Sequence, residues 1–251
     1  MAPPPSPPGP RMRIQRALAR AGIASRRHAD TLVAAGRVHV NGAVARTGQP
    51  VDPARDRITV DGVPVSAGRT TPAAATWIVL NKPAGVMTTA ADPGGRRTVF
   101  DCLPAQHRVP GLTYVGRLDY LTEGVLVLTT DGDAAHRLTH PSRRVPRTYV
   151  VTVRGAVARA VQQIRRGVTL EDGIVQPLEV STTPLGGART ALEITIGQGR
   201  TREVRRLCAA VGLSVERLVR TAFGPVELGT LPSGAVRKLT PAERRAIEAI
   251  P

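Results

Sequence analysis

The hydrophobic pattern of the first part of the chain has helical spacing. Residues 13–21 form a short basic run that ends at Gly22, a residue that readily closes a helix in the left-handed conformation. Ser25 is a suitable N-cap for a second helix over residues 26–35. Apolar residues fall on one face of this second segment at positions three to four apart. The pattern predicts two consecutive helices, the second of them amphipathic.

Short alternating segments follow these helices. Residues 37–40 alternate polar and apolar side chains, and Asn41-Gly42 is a strong signal for a two-residue hairpin turn. Residues 52–65 repeat the pattern with a turn near Asp61-Gly62. The pattern therefore predicts two small β-hairpins after the helix pair.

Beyond residue 76 the chain mixes apolar strands with helices. The predicted strands are 77–81, 125–130, 149–153 and 191–196, and the predicted helices are 156–166, 202–211 and 242–249. The last helix has Thr240 as its cap, Pro241 at its first position and Glu243 to complete a capping box. Because strands outnumber helices, we expect an α+β fold with a largely antiparallel mixed sheet.

Composition divides the chain into four segments. A proline-rich tail, predicted to be disordered, covers residues 1–10, and a Gly/Ala/Thr/Pro linker covers residues 67–76. Between them lies a small domain, residues 11–66, and after them a larger mixed domain, residues 77–251. A length of 251 residues is typical of one medium and one small domain.

Charge indicates the class of partner. The chain has 35 basic and 19 acidic residues, a net charge of +16, which favours a polyanion such as nucleic acid. No segment reaches the roughly 20 apolar residues of a membrane span, and the N-terminus lacks the apolar segment of a signal peptide. The two cysteines, Cys102 and Cys208, are far apart and form no metal or redox motif. We expect a cytoplasmic protein without membrane contact.

The run at residues 116–132, GRLDYLTEGVLVLTTDG, has the strongest chemical content. It sets Asp119 two residues after Arg117 on a glycine-bounded loop that leads into an apolar strand. A carboxylate here is a candidate nucleophile, general acid or base, or metal ligand. Few further ligands lie nearby, so we expect no metal, and no second acid is placed as paired-carboxylate hydrolases require. A lone aspartate that caps a turn is the alternative.

The same run resembles the catalytic motif of the pseudouridine synthases in the small- and large-subunit ribosomal RNA branch. Two further motifs of that family follow in the same order, Arg147-Thr148-Tyr149 and the segment 197–207, GQGRTREVRRL. Residues 11–66 resemble the S-four-like RNA-binding domain, named for a ribosomal protein, through the first helix, residues 23–27 and residues 36–42. The match extends over nearly everything after the proline-rich tail.

The resemblance implies an enzyme that isomerises specific uridines of ribosomal RNA to pseudouridine without a cofactor. The substrate is naked ribosomal RNA or a ribosome assembly intermediate, and we expect a monomer. The motifs are closer to the large-subunit (23S) type than to the small-subunit (16S) type. A non-catalytic RNA-binding assembly factor on the same fold remains the alternative from a different class.

The resemblance also implies roles for individual residues. Asp119 is the catalytic nucleophile, Tyr149 stacks on the uracil, and Arg205 pairs with the Asp119 carboxylate. Arg117 takes the place of the flipped base, Val204 packs beside it, and Lys82 makes a rim or backbone contact. The other predicted substrate-binding residues are Arg147 and Leu207. The predicted RNA-binding side chains of the N-terminal domain are Arg13, Arg16, Arg20, Arg26, Arg27 and Arg37.

Overall fold

The computed structural model describes residues 11–24, 26–65 and 75–250, without the side chains of Arg26 and Arg27. The chain divides into two units, Met1–Ala75 with Val109–Leu112, and Thr76–Arg108 with Thr113–Pro251. The predicted tail, the predicted cap at Ser25 and residues 66–74 of the predicted linker region lie outside the described residues.

The first unit begins with the two predicted helices, which are confirmed as α1 (Ile14–Arg20) and α2 (Arg26–Ala34). After α1 the chain turns at Gly22, whose φ of 74° is unfavourable for other residues. Apolar side chains from both helices and from the strands that follow form one core. Its members are Ile14, Ala17, Leu18, Ala29, Leu32, Val33, Val38, Val40, Ala45, Val51 and Ile58.

The strands of this unit form the two predicted hairpins. Asn41 and Asp61 have φ values of 53° and 51°, each followed by a glycine with positive φ, as tight hairpin turns require. A four-stranded sheet has the order β3-β2-β5-β6, and β1 pairs with β4. The strands are β1 (Met12–Arg13), β2 (Val38–Val40), β3 (Ala43–Val44), β4 (Pro50–Val51), β5 (Ile58–Val60) and β6 (Val63–Pro64).

The second unit is built on a mixed sheet, in which nine strands of the described residues take part. The strands of this unit are β7 (Trp77–Lys82), β8 (Thr113–Val115), β9 (Glu123–Thr129), β10 (Arg147–Arg154), β11 (Val168–Leu170), β12 (Gly173–Val175), β13 (Glu179–Gly186), β14 (Arg189–Ile196), β15 (Ser214–Phe223), β16 (Val226–Glu227) and β17 (Val236–Lys238). The order is β13-β14-β10-β15-β9-β7-β17, with β16 beside β15, β8 beside β9, and β11 paired separately with β12. Only β9 and β15 pair in parallel among these described strands. The predicted α+β class with a largely antiparallel mixed sheet is confirmed.

Four helices cover the described part of the second unit: α3 (Gly132–Thr139), α4 (Val157–Arg166), α5 (Glu203–Ala210) and α6 (Pro241–Glu248). The predicted capping box is confirmed, because Thr240 and Glu243 exchange both hydrogen bonds at the start of α6. Asp131 caps α3 by accepting from two backbone N–H groups. Of the strands in this unit only β7, β9, β10 and β14 were predicted, and β15, which was not, forms one wall of the site.

Candidate active site

The turn that carries Asp119, residues 116–122, connects β8 to β9 and is called the catalytic turn below. Hydrogen bonds to its main-chain groups hold it in place. Thr88 Oγ1 donates to the Leu118 carbonyl at 2.8 Å and accepts from the Leu118 N–H at 3.3 Å. The Thr122 N–H donates to the Asp119 carbonyl at 3.0 Å. These bonds fix the backbone on both sides of Asp119, so its half-buried carboxylate is presented from a rigid support.

Lys82 anchors the same turn from beneath. Its side chain is fully buried, and its Nζ donates to the carbonyls of Pro83, Tyr120 and Thr122 at 3.0, 3.2 and 2.9 Å. Burial of the ammonium lowers the pKa of Lys82 to about 8, although nearby Asp119 acts in the opposite direction. Lys82 does not line the cavity described next, and its predicted contact with the substrate stays a prediction.

A cavity of about 250 Å³ opens beside Asp119. Side chains from the catalytic turn, the sheet and the start of α5 surround it, and arginines outnumber carboxylates in its wall. Its lining residues are Gly116, Arg117, Leu118, Asp119, Thr122, Thr139, Arg147, Tyr149, Ile196, Gly199, Arg200, Thr201, Arg202, Glu203, Val204, Leu218 and Arg220. The cavity therefore combines one available carboxylate with a strongly basic surround.

Strands β10 and β15 form one wall of this cavity. Arg147 and Tyr149 are two residues apart on β10 and so point to the same face of the sheet. Arg147 pairs with Phe223, but Tyr149 pairs with Arg220, because a β-bulge leaves Thr221 as an extra residue on β15. The bulge therefore puts Arg220 opposite Tyr149 on the cavity face, where regular alternation would place Thr221.

The two arginines of this wall are buried. Arg147 is 8% exposed and its Nη1 donates to the Val145 carbonyl at 2.8 Å, while burial lowers its pKa. Arg220 is 1% exposed and its Nε donates to the Val125 carbonyl at 2.8 Å. Both guanidiniums lie over the ring of Phe223, at 5.4 and 5.0 Å from its centroid. The wall is thus a buried basic surface supported by an aromatic ring.

Sequence reasoning missed Arg220. It lies on β15, a strand that was not predicted. The available signal was an arginine that follows Leu218-Val219 and precedes Phe223, but the bulge hides the alternation that would have revealed its direction. Thr122, which also lines the cavity, was missed as well.

The start of α5 forms another wall. Val204 is buried and lines the cavity, whereas Leu207 is buried but does not line it. Glu203 is also buried and accepts a hydrogen bond from the Arg200 N–H at 3.0 Å. Burial raises the pKa of the Glu203 carboxyl. Of these two predicted substrate-binding residues, only Val204 lines the cavity, and the contacts of both with the substrate stay predictions.

Arg205 reaches the catalytic turn without binding the carboxylate. Its Nη2 donates to the Leu121 carbonyl at 3.1 Å. Within the part of the chain that the structure describes, no basic side-chain nitrogen lies within 4.0 Å of the Asp119 carboxylate. Burial and neighbouring Arg202 lower the pKa of Arg205, and Asp119 raises it. The direct Arg205–Asp119 pair stays a prediction.

The predicted RNA-binding arginines belong to the first unit. Arg13 and Arg20 are exposed and Arg16 is half-buried. Arg37 is exposed but forms a two-point ion pair with Asp61, at 2.8 and 2.5 Å, which lowers the pKa of Asp61. The side chains of Arg26 and Arg27 lie outside the described residues.

The described residues lack both a metal-binding cluster and a membrane-spanning helix. No group of three or more His, Cys, Asp or Glu side chains is arranged to hold a metal ion. No described helix has both the length and the apolar character needed to cross a membrane.

Comparison with known proteins places the chain in a family. The model for RNA pseudouridylate synthase matches residues 76–210, and the S4 domain model matches residues 12–58. An uncharacterized RNA pseudouridine synthase of Aquifex aeolicus (strain VF5) is 40% identical over 236 residues, covering 92% of both chains. Fold, site and these matches define an RNA-modifying isomerase. The chain belongs to the RNA pseudouridylate synthase family.

Two further matches refine the comparison. The ribosomal large subunit pseudouridine synthase B of Pseudomonas aeruginosa (strain PAO1) is 42% identical over 234 residues, which cover 92% of this chain and 60% of that protein. A crystal structure of a pseudouridylate synthase superposes with a TM-score of 0.62 at 26% identity, covering 94% of this chain and 99% of that one. The family and the S4 domain inferred from the motifs are confirmed.

Proposed function

We propose that the protein converts one or a few uridines of large-subunit ribosomal RNA to pseudouridine, with Asp119 as the nucleophile. The observation that carries this proposal is the position of Asp119 on a rigid turn at the edge of a basic cavity. The 42% identity to a large-subunit enzyme supports the choice of RNA. A cavity of about 250 Å³ is smaller than those that hold drug-sized ligands, which suits a single base.

The reaction requires the uracil to leave its stack before it reaches Asp119. Tyr149 and Val204, both buried in the cavity wall, supply flat and apolar surfaces for the inserted base. Arg117 is exposed at the lining of the same cavity, where its guanidinium is suited to occupy the gap left in the RNA stack. Arg147 contributes positive charge from the sheet.

The catalytic turn is held by two basic side chains with different positions. Lys82 binds its carbonyls from the buried side, and Arg205 binds the Leu121 carbonyl from α5. We propose that Arg205 moves from Leu121 to the Asp119 carboxylate when RNA enters, which keeps the nucleophile ionised and oriented. Leu207 is fully buried on the same helix, and we propose that it supports Val204.

The two units have different proposed roles in RNA binding and catalysis. We propose that residues 11–66 form an RNA-binding domain that selects the substrate, and residues 77–251 form the catalytic domain. The exposed Arg13 and Arg20 are suited to contact phosphates. We expect the protein to act as a monomer. The enzyme acts in the cytoplasm, on ribosomal RNA or an assembling particle.

The decisive experiment maps pseudouridines in unmodified ribosomal RNA of both subunits after incubation with the protein. Asp119→Asn is tested alongside, with Glu171→Gln as a control because Glu171 is an exposed carboxylate outside the cavity. We expect a new pseudouridine in large-subunit RNA with the parent and the control. Asp119→Asn should lower the rate by about 10⁴-fold or more, as loss of a nucleophile does.

The other outcomes are distinct. A new pseudouridine only in small-subunit RNA would keep the chemistry and change the substrate. Modification by Asp119→Asn at the parent rate would remove Asp119 from the nucleophile role. Tight RNA binding by both proteins, with no modification of naked RNA or precursor particles, would favour a non-catalytic assembly factor.

A further inference from the structure

Two unsatisfied polar atoms lie in residues that line the cavity. In the described part of the second unit, Thr122 Oγ1 and Arg220 Nη2 are the buried side-chain atoms without a hydrogen-bond partner. Both residues are at least 98% buried, and both line the cavity beside Asp119. Buried polar groups are almost always paired, since an unpaired group costs about 1–3 kcal/mol. Their convergence on one cavity indicates a ligand that supplies the missing partners.

The charge of the wall points to the same conclusion. Among the described residues, no carboxylate lies within 4.0 Å of the guanidinium of Arg147 or Arg220. The ring of Phe223 supports both cations but carries no net charge. A buried cation without a counter-charge is costly and is expected where a ligand brings negative charge. The ligand group that reaches this wall therefore accepts hydrogen bonds and carries negative charge at some stage of the reaction.

The burial of Arg220 indicates whether the base or a phosphate of the RNA contacts it. Arg117 and Arg202 are exposed, whereas Arg220 is 1% exposed and lies opposite Tyr149 on the sheet. RNA phosphates stay solvated at the protein surface, and the extruded base is the part of the nucleotide that enters deepest. The group that meets Arg220 is therefore the uracil, whose hydrogen-bond acceptors are its two carbonyl oxygens.

We propose that Arg220, assisted by Arg147, hydrogen bonds a carbonyl oxygen of the target uracil and stabilises the negative charge on that oxygen while the base is being transferred. The proposal rests on the proposed function, because it needs a uridine in this cavity. When the N1–C1′ bond breaks, both of its electrons stay on the uracil, and its carbonyl oxygens share the charge. The C5–C1′ bond then forms, the C5 proton leaves, and N1 gains a proton, so the isomerisation is balanced.

The uracil carbonyl oxygen needs the same stabilisation whether Asp119 attacks the ribose or the uracil ring. Attack on the ribose releases the uracil as an anion, and attack on the ring places the added electron pair on a carbonyl oxygen. Both routes develop charge where a fixed donor from Arg220 is most effective. The Nε bond to Val125 and the contact with Phe223 hold the guanidinium in place before the substrate arrives. Thr122 Oγ1 is a second polar contact for the same base.

The test measures single-turnover rates and RNA affinity separately, on a fragment of the ribosomal RNA that the parent protein modifies. Arg220→Met should lower the rate by about 10²–10³-fold, the loss seen when one fixed donor to a developing oxyanion is removed. Its RNA dissociation constant should stay within about twofold, because the charge develops after binding. Arg220→Lys should recover part of the rate. Arg154→Met serves as the matched control, since Arg154 is an exposed arginine at the far end of β10.

Substrates with 2-thiouridine or 4-thiouridine at the target position identify the contact. Sulfur is a weaker acceptor, so we expect one of the two substitutions to slow the parent by about 10-fold and to have little further effect on Arg220→Met. If each thio substitution slows Arg220→Met by the same factor as it slows the parent, the proposed hydrogen bond from Arg220 to a uracil carbonyl oxygen does not exist. Weakened binding with an unchanged rate would assign Arg220 to a phosphate instead.

Stability is checked by urea unfolding of each variant. If Arg220→Met does not fold, the same thio-substitution comparison is made with Arg220→Lys; a parent rate and a parent sulfur effect in that variant would overturn the proposal. Failure of the proposed function itself is separately visible, because the parent protein would then leave the ribosomal RNA unmodified.

Discussion

The two units differ in where they place basic side chains: among the described residues, only the second unit buries any of them. In the first unit, Arg13, Arg20 and Arg37 are exposed, and Arg37 is paired with a surface carboxylate. In the second unit, Lys82 and Arg220 are buried and donate to main-chain carbonyls. Exposed cations are suited to attract a polyanion over a long range, whereas buried cations that donate to carbonyls fix local geometry. The net charge of +16 therefore includes two kinds of basic side chain, and separate experiments test the role proposed for each.

The largest expected effect is a loss of stability, and it depends on how tightly the backbone is packed in each unit. At Gly124 an added Cβ would lie 2.1 Å from the Arg220 carbonyl oxygen, whereas at Gly36 nothing lies within 4 Å. Both glycines have positive φ, 104° at Gly124 and 71° at Gly36, so both substitutions strain the backbone and only Gly124→Ala adds the clash. Gly36→Ala should cost about 1 kcal/mol, and Gly124→Ala about 3 kcal/mol or more, because it separates β9 from β15. Hydrogen exchange measures the stability of each unit, and similar losses would remove the contrast.

The next effect concerns the buried Lys82. Its pKa falls from 10.5 to about 8, so the folded protein releases the proton near pH 8 and the unfolded chain near pH 10.5. Between these values the unfolded chain binds more protons, and the free energy of unfolding should rise with pH. Urea unfolding at pH 7 and pH 9.5 should show the parent gaining stability relative to Lys82→Met. The exposed Lys238→Met should keep the parent profile, and a constant gap between parent and Lys82→Met would contradict the assignment.

The smallest effect concerns the exposed arginines of the first unit. Each lost phosphate contact should reduce the slope of log K against log salt concentration by about 0.7 for single-stranded RNA. We expect this change for Arg13→Gln and a smaller one for Arg37→Gln, because Asp61 already neutralises Arg37. Filter binding across a salt series measures both slopes. Equal changes would show that the Asp61 pair opens when RNA binds.

The parts of the structure that were predictable from the sequence are local ones. The first helix pair, both hairpins and the capping box at Thr240 follow from neighbouring residues, and so does the position of Asp119 on a turn before a strand. The family followed from motifs that are also contiguous in sequence. Each of these features depends on interactions within a few residues.

The features that the sequence did not reveal depend on distant pairing. Strand β15 reads as irregular because two register shifts interrupt its alternation, so neither the strand nor the direction of Arg220 was predicted. Burial of Lys82 depends on the turn around Tyr120, nearly 40 residues later in the chain. The position of Arg205 against Leu121 joins segments 84 residues apart. The sequence pattern can identify such residues as candidates, but it does not predict their tertiary contacts.

The extra residue at Thr221 has a consequence for how this strand tolerates insertions and deletions during evolution. Arg220 and Phe223 lie on the same face of the sheet although they are three residues apart, because Thr221 is skipped in the register with β10. A chain that lost this one codon would pair regularly and still place both side chains on that face. A chain that gained a codon between Arg220 and Phe223 would instead need a wider bulge or would turn the arginine to the opposite face. A correct alignment of distant relatives should therefore permit a gap inside this strand, at the position of Thr221.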